Sequence, residues 1–340
     1  MKKPLSVSLI GLGRIATDDH LPAILEANGV KLDSVCDVSE ERVHEISTQY
    51  KVDGFTDVET LVKEKTPEMA VVAVPHHVYL PILELLAEKQ IPILKEKPLA
   101  RNLEEAKKIK DLVERTNTKL LVTLQRRFNP IFSVFLQLRE RIGEIYNFSA
   151  EYTLNIGNLE DGWRASVEKA GGGCLIDMGY HMTDLLMWYF GLPEHVMAHM
   201  GKNNREHQEY DVEDTCNVLM KYNPGEQRPR QITGNIFLSR VYPEKKEELR
   251  VSGTRGTIVV RRGGIIRYDN KGKERENLSR SGEWSSAFLT QLETFASWVR
   301  GEIKGINPSY ESHLNHVSFI EAAYKSALTG QPVNPHDLLK

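Results

Sequence analysis

The sequence predicts an α/β chain of two domains, a doubly wound parallel sheet over 1–124 and a second α/β domain on a mainly antiparallel sheet over 125–340. Three observations predict it. Short, nearly continuous apolar runs alternate with helical patterns through the first third. A Gly-x-Gly-x-x-Ala turn joins the first strand to the first helix. Past residue 190, strands follow one another with turn signals and no helix between them, which favours antiparallel pairing.

In the first domain Leu5–Ile10, Leu32–Cys36, Met69–Val74, Ile91–Leu94 and Leu120–Leu124 read as strands. Their β-branched, apolar character suits a sheet covered on both faces. Helices are expected at Ala16–Ala27, Glu40–Gln49, Val58–Lys65, Tyr79–Lys89 and Leu103–Thr116. Asn102 and Glu105 stand three apart, so each side chain can satisfy an orphan backbone donor at a helix start. Repeated strand–helix alternation implies right-handed crossovers. The pattern changes near residue 125. A helix from Asn129-Pro130 leads to a strand at Tyr146–Thr153, a Gly-rich loop and one long helix over about 174–190. Strands are then expected at Val196–Met200, Cys216–Tyr222, Gln231–Leu238, Glu248–Ser252, Gly256–Arg261 and Ile265–Tyr268. Asp269–Ser285 is polar and reads as a mobile surface loop. Helices at Ser286–Arg300 and Tyr310–Thr329 close the chain, the last placed to pack back toward the first domain.

The composition narrows the function classes. The chain has 340 residues, 40% apolar and 27% charged, with a net charge of -3. That balance gives no reason to expect a nucleic-acid or membrane partner. No apolar run reaches the roughly 18 residues that span a bilayer. Pro4 to Ile10 is too short and too alternating for a signal-peptide core, so a cytoplasmic location is expected. Cys36, Cys174 and Cys216 lack metal or redox spacing and read as free, buried thiols.

Gly11-Leu12-Gly13-Arg14-Ile15-Ala16 follows the first strand and opens a helix, the context of a dinucleotide-binding turn. Gly11 permits the tight turn, Gly13 lets backbone approach pyrophosphate, and Ala16 lets helix pack on strand. The helix start, with Arg14 and Ile15, offers free N–H groups and a positive dipole end to the phosphates. Arg14 either reaches the pyrophosphate or points to solvent. Asp37 ends the second strand, where a carboxylate accepts from the adenine ribose hydroxyls and repels a 2′-phosphate. NAD is therefore the expected cofactor. NADP is not excluded, because Arg42 lies one helical turn on. Val74 and Pro75 close the third expected strand and are expected to line the cofactor cleft through backbone contacts.

Two further segments complete a pattern: Lys95-Glu96-Lys97-Pro98-Leu99-Ala100 and Gly171-Gly172-Gly173-Cys174-Leu175-Ile176-Asp177-Met178-Gly179-Tyr180-His181-Met182-Thr183-Asp184. With the Gly11 turn, Arg127-Phe128-Asn129-Pro130 and Gly253-Thr254-Arg255-Gly256-Thr257, the chain resembles the glucose–fructose oxidoreductase / inositol dehydrogenase / rhizopine catabolism (Gfo/Idh/MocA) family over nearly its whole length. The resemblance implies a Rossmann domain coupled to an α/β domain with a large, mainly antiparallel open sheet. It also implies an NAD(P)-dependent oxidoreductase acting at a hydroxyl or carbonyl carbon of a sugar, sugar derivative or cyclitol. It assigns His181 as base with Asp177 assisting, and makes Lys97 catalytic. The family often has His where Tyr79 stands, which leaves any role of that position open.

The residues bear on this chemistry independently. Oxidising an alcohol requires removal of the hydroxyl proton, best done by a base with pKa near the working pH. Asp177 and His181 stand four apart, one face of the expected helix, just after the Gly-rich loop. The positive helix end favours neutral His181, while Asp177 orients the ring or stabilises an imidazolium. Read singly, the pair is as compatible with helix capping and a satisfied imidazole. Lys97, at the carboxyl end of a parallel strand, can donate to the reacting oxygen, and Pro98 after it is a candidate for a cis peptide. Glu96 either contacts the nicotinamide side or hydrogen-bonds backbone. Trp163 and Arg164 suit a polyol ring, with core packing the other role open to Trp163; Asn155 is a weaker substrate contact, and Arg127 serves substrate or the domain boundary. Asp177, His181 and Asp184 could also form a zinc site, but Lys97 disfavours a cation, so no metal is expected. Two other readings fit the scaffold: a redox-cycling NAD-dependent lyase or hydrolase, and a non-catalytic dinucleotide-binding regulator. The broad second sheet points to a homodimer or homotetramer.

Overall fold

The computed structural model describes residues 3–226, 228–279, 284–306 and 309–340. It divides into two compact units. One comprises Met1–Ala100, Glu104–Phe128 and Glu283–His313; the other comprises Arg101–Leu103, Asn129–Gly282 and Leu314–Lys340.

The first unit is built on β1 (Leu5–Ile10), β2 (Val30–Cys36), β3 (Asp53–Phe55), β4 (Met69–Val72), β5 (Ile93–Lys95) and β6 (Leu120–Val122). Their spatial order is β3-β2-β1-β4-β5-β6, with every pairing parallel. The order reverses between β1 and β4, and ligands of such sheets sit outside the strand carboxyl ends at that switch point. The crossover helices are α1 (Leu21–Glu26), α2 (Glu40–Tyr50), α3 (Val58–Glu64), α4 (Tyr79–Glu88) and α5 (Leu103–Thr116). Val7, Leu9, Val35 and Val71 are fully buried, as a sheet covered on both faces requires. The expected single helix over Ala16–Ala27 is a wide turn of π-helix, Ala16–His20, continued by α1.

The second unit opens with α6 (Pro130–Leu138), capped by the Asn129 side chain accepting from the Ile131 N–H at 3.0 Å. Its sheet comprises β7 (Ile145–Asn155), β8 (His195–Gly201), β9 (Thr215–Tyr222), β10 (Ile232–Ser239), β11 (Val241–Gly253), β12 (Gly256–Arg261), β13 (Gly264–Asp269) and β14 (Glu274–Ser279). The order is β14-β13-β12-β11-β7-β10-β9-β8, antiparallel except for the parallel β10–β7 pair. Two short elements, Trp163–Ala165 and α7 (Val167–Ala170), precede α8 (Tyr180–Phe190). The remaining helices are α9 (Trp284–Val299) and α10 (Ser312–Thr329).

Two expectations are corrected. The polar stretch after residue 269 is not all loop, since β14 lies within it; residues 280–283 fall outside the described set. The helix after the Gly-rich loop begins at Tyr180, so residues 174–179 form turns and Asp177 lies before the helix. By internal contacts α9 falls within the first unit, and all but the first two residues of α10 within the second. Phe288, Leu292, Phe295 and Ala296 recur at i, i+4, i+7 and i+8 and join the first unit's core, each large side chain contributing roughly 1.5–3 kcal/mol by burial. By the same contacts the first unit extends to Phe128, and Arg101–Leu103 fall with the second.

Candidate active site

In the first unit the glycine turn sits at the switch point between β1 and β4. Gly11 has φ +86°, and a Cβ there would fall 2.4 Å from the Ala73 carbonyl oxygen and 2.9 Å from Val74 Cγ1. Neither L-residue backbone nor side chain fits, so glycine is required. A Cβ at Gly13 would meet nothing within 4 Å, which leaves open space at the helix start where a pyrophosphate needs close backbone. Ala16 is fully buried, as the third position demands. The Asp37 carboxylate accepts from the Leu12 N–H at 2.7 Å and the Ser39 N–H at 2.9 Å. Its remaining lone pairs can serve ribose hydroxyls. Arg14 is 94% exposed and lies 3.7 Å from Asp18, and Ile15 is exposed beside it. Val74 and Pro75 follow β4 half-buried. These residues fit a dinucleotide.

The exit of β5 carries the Glu96-Lys97-Pro98 segment. Glu96 is buried, and its N–H donates to the Val72 carbonyl at 2.8 Å. Its Oε1 lies 2.8 Å from His20 Nε2, and its Oε2 accepts from the Lys97 N–H at 3.2 Å. Of the two roles open for Glu96, the contacts seen are with backbone and with His20. Lys97 is half-buried, and the Lys97–Pro98 peptide is cis. Arg127 lies in the short helix Gln125–Phe128, still within this unit.

In the second unit a buried carboxylate shapes the Gly-rich loop. Glu213 accepts from the N–H of Gly173 at 2.7 Å, the N–H of Leu175 at 2.9 Å and the Tyr324 hydroxyl at 3.0 Å. Burial pushes its carboxyl pKa up, against the backbone donors that hold it down. A Cβ on Gly173 would fall 1.9 Å from the Glu213 carbonyl oxygen. The loop delivers Asp177, whose Oδ2 accepts from Arg240 Nη2 at 3.1 Å and Arg164 Nε at 3.2 Å. Arg240 is 2% exposed and donates also to the Gly173 carbonyl at 2.9 Å. His181 is the second residue of α8 and the only half-exposed position in the run Met178–Leu186. Asp184 faces inward, its Oδ1 3.0 Å from His316 Nε2, and Tyr180 stacks on that His316 ring at 5.4 Å. The Arg164 guanidinium lies 4.3 Å from the Trp163 ring centroid. Asn155 closes β7 with its side-chain oxygen engaged by Arg205 Nη2.

A family described as "Oxidoreductase family, NAD-binding Rossmann fold" matches residues 5–124, and one described as "GFO/IDH/MocA C-terminal domain" matches 138–259. The chain belongs to the Gfo/Idh/MocA family. Its first unit is thus the nicotinamide-binding domain of an NAD(P)-dependent oxidoreductase, with NAD as the family's cofactor. Among Gfo/Idh/MocA relatives, D-glucoside 3-dehydrogenase of Escherichia coli is 23% identical, covering 97% of either chain. The scyllo-inositol 2-dehydrogenase (NAD(+)) of Bacillus subtilis is 23% identical over 98% of this chain and 97% of its own. A levoglucosan dehydrogenase solved with NADH and levoglucosan shares the fold at TM-score 0.84 and 20% identity, covering 98% of this chain and 99% of the other.

Sequence reasoning did not single out His20, Lys95, Glu213 or Arg240. Lys95 left one trace, a charge at the end of an apolar strand. Arg240 and Glu213 sit 63 and 40 residues from the groups they bind, a separation that spacing rules do not reach.

Proposed function

We propose that this chain transfers hydride between a nicotinamide cofactor and a hydroxyl or carbonyl carbon of a sugar, sugar derivative or cyclitol. His181 exchanges the hydroxyl proton, Asp177 assists it, and Lys97 stabilises the reacting oxygen. The observation that carries this reading is the exposure pattern at the start of α8. His181 is half-exposed where Met178–Tyr180 and Met182–Leu186 are buried, and the Asp177 carboxylate is already compensated by Arg164 and Arg240. A carboxylate bound to two guanidiniums is a poor base, which leaves proton transfer to the imidazole. The relatives named for glucoside and inositol oxidation support the substrate class.

Bound nicotinamide supplies the hydride acceptor or donor. In the oxidising direction His181 takes the hydroxyl proton at a ring nitrogen as the C–H bond breaks. Lys97 donates a hydrogen bond to the oxygen, stabilising its developing negative charge. Asp177, fixed by Arg240, keeps a compensated charge near the base. Arg164 and Trp163 offer a guanidinium and an aromatic face to the substrate's other hydroxyls, with Asn155 and Arg127 as further contacts.

His181→Ala and Lys97→Ala should each lower kcat by roughly 10²-fold while NAD affinity persists. The assay is cofactor absorbance across sugars, inositols, sugar phosphates and nucleotide sugars. Wild-type rates in both variants would sink the site assignment. Product without net NADH would favour a redox-cycling lyase or hydrolase, and NAD binding without any turnover a regulator.

A further inference from the structure

Lys95 closes β5 in the interior of the first sheet, in register with Val72 on β4 and Val122 on β6. Its side chain is fully buried, where an ammonium loses its water and an aliphatic residue would pack without that cost. The amine is not idle. Nζ donates to the Glu96 carbonyl oxygen at 2.8 Å and to the Pro98 carbonyl oxygen. It also lies 3.6 Å from the centroid of the Tyr79 ring, at the position where the family often has His. Tyr79 is itself buried and stacks against His76, 6.3 Å between centroids. Glu96 and Glu105 favour the charged form, while burial and Lys97 oppose it.

The two carbonyls that Lys95 binds belong to the residues immediately before and after Lys97. We propose that Lys95 is a positioning residue for Lys97: its buried amine ties down the chain on both sides of that residue and fixes the direction in which the Lys97 side chain leaves the segment that follows β5. The Glu96 carboxylate, braced by His20, holds the intervening Lys97 N–H. Without Lys95 two inward carbonyl oxygens lose their donor, and the segment relaxes to find others. The inference rests on the role of Lys97 proposed above.

The test is a double-mutant cycle in the full chain. Lys95→Met keeps side-chain length and apolar packing but removes the donor, and Lys95→Gln restores one donor group. Lys95→Met should lower kcat about tenfold with NAD affinity within about twofold of wild type, and Lys95→Gln should fall between. Added to Lys97→Ala, Lys95→Met should bring no further loss, because the group it positions is gone. Hydrogen exchange of the peptide covering 96–103 should speed up in Lys95→Met, with the rest of the unit unchanged. A full, additive tenfold loss in the double variant overturns the proposal, as does wild-type kcat in Lys95→Met. Loss of folding or NAD binding in both variants assigns Lys95 to general stability and also overturns it. If Lys97→Ala alone keeps wild-type turnover, the functional reading fails instead, and hydrogen exchange still reports whether Lys95 holds the segment.

Discussion

At the scale of single residues, the first sheet buries an amine at Lys95. Burial pulls the Lys95 amine from its ordinary 10.5 down to about 7. Below pH 7 the folded and unfolded chains both hold this proton, and the cost of burying the charge is constant. Between pH 7 and 10.5 the unfolded chain holds a proton that the folded chain has released, so stability rises with pH. The slope from one such proton is at most about 1.4 kcal/mol per pH unit. Urea midpoints at pH 7, 8 and 9 should therefore rise less steeply in Lys95→Met than in wild type, and equal slopes would contradict the lowered pKa. Lys97, Asp177 and His181 were visible in the sequence because each stands in a dense local motif. Arg240 and Glu213 were not, because the fold brings their partners from far along the chain; Lys95 stands in the same motif as Lys97, but a charge at the end of an apolar strand does not say that two nearby carbonyls will compensate it.

At the scale of elements, the misread segments have physical causes. In β14 both faces are exposed or partly so, and its residues Glu274–Ser279 carry no hydrophobic period. It forms as an edge strand by pairing with β13, reinforced by Arg267 and Arg141 on Glu276. Charged edges of this kind also discourage pairing with other chains. The segment before α8 reads as helix because Cys174, Leu175, Ile176 and Met178 lead straight into its apolar pattern. There the backbone spends its donors on the turn instead: the Gly179 N–H reaches the Cys174 carbonyl at 2.8 Å, and the Leu175 N–H goes to Glu213. That turn depends on glycine at 173. Gly173→Ala should displace the loop from Glu213 and cut turnover by roughly tenfold or more, while NAD affinity stays near wild type. Unchanged turnover would show that the loop does not govern Asp177 and His181.

At the scale of the whole molecule, the parallel sheet apart from its short, largely exposed edge strand β3, and most of the antiparallel one, were readable in the sequence, because burial on one or two faces writes itself into hydropathy. The division into units was less readable. The chain leaves the first unit and comes back at α9, and helix periodicity shows an apolar face without naming the surface it covers. The first unit's cofactor role gives a measurement on the intact protein. NAD at a hundredfold excess over Kd should stabilise folding by about 2.7 kcal/mol, and NADP at equal concentration should stabilise it less. The NAD effect should survive in His181→Ala. An equal or larger effect of NADP would reverse the reading of Asp37.

The Asp37 contacts have a bearing on redesign. The carboxylate expected to serve the ribose hydroxyls also staples the glycine turn to the head of α2, through Leu12 and Ser39. Cofactor preference and turn geometry are thereby written in the same side chain. Exchanging Asp37 for a small neutral residue would lift the repulsion toward a 2′-phosphate, yet strand two backbone donors and slacken the cradle for either cofactor. A route to NADP use in this scaffold would have to supply a substitute acceptor for those amides along with the new cation, so the switch calls for coordinated changes and not one replacement.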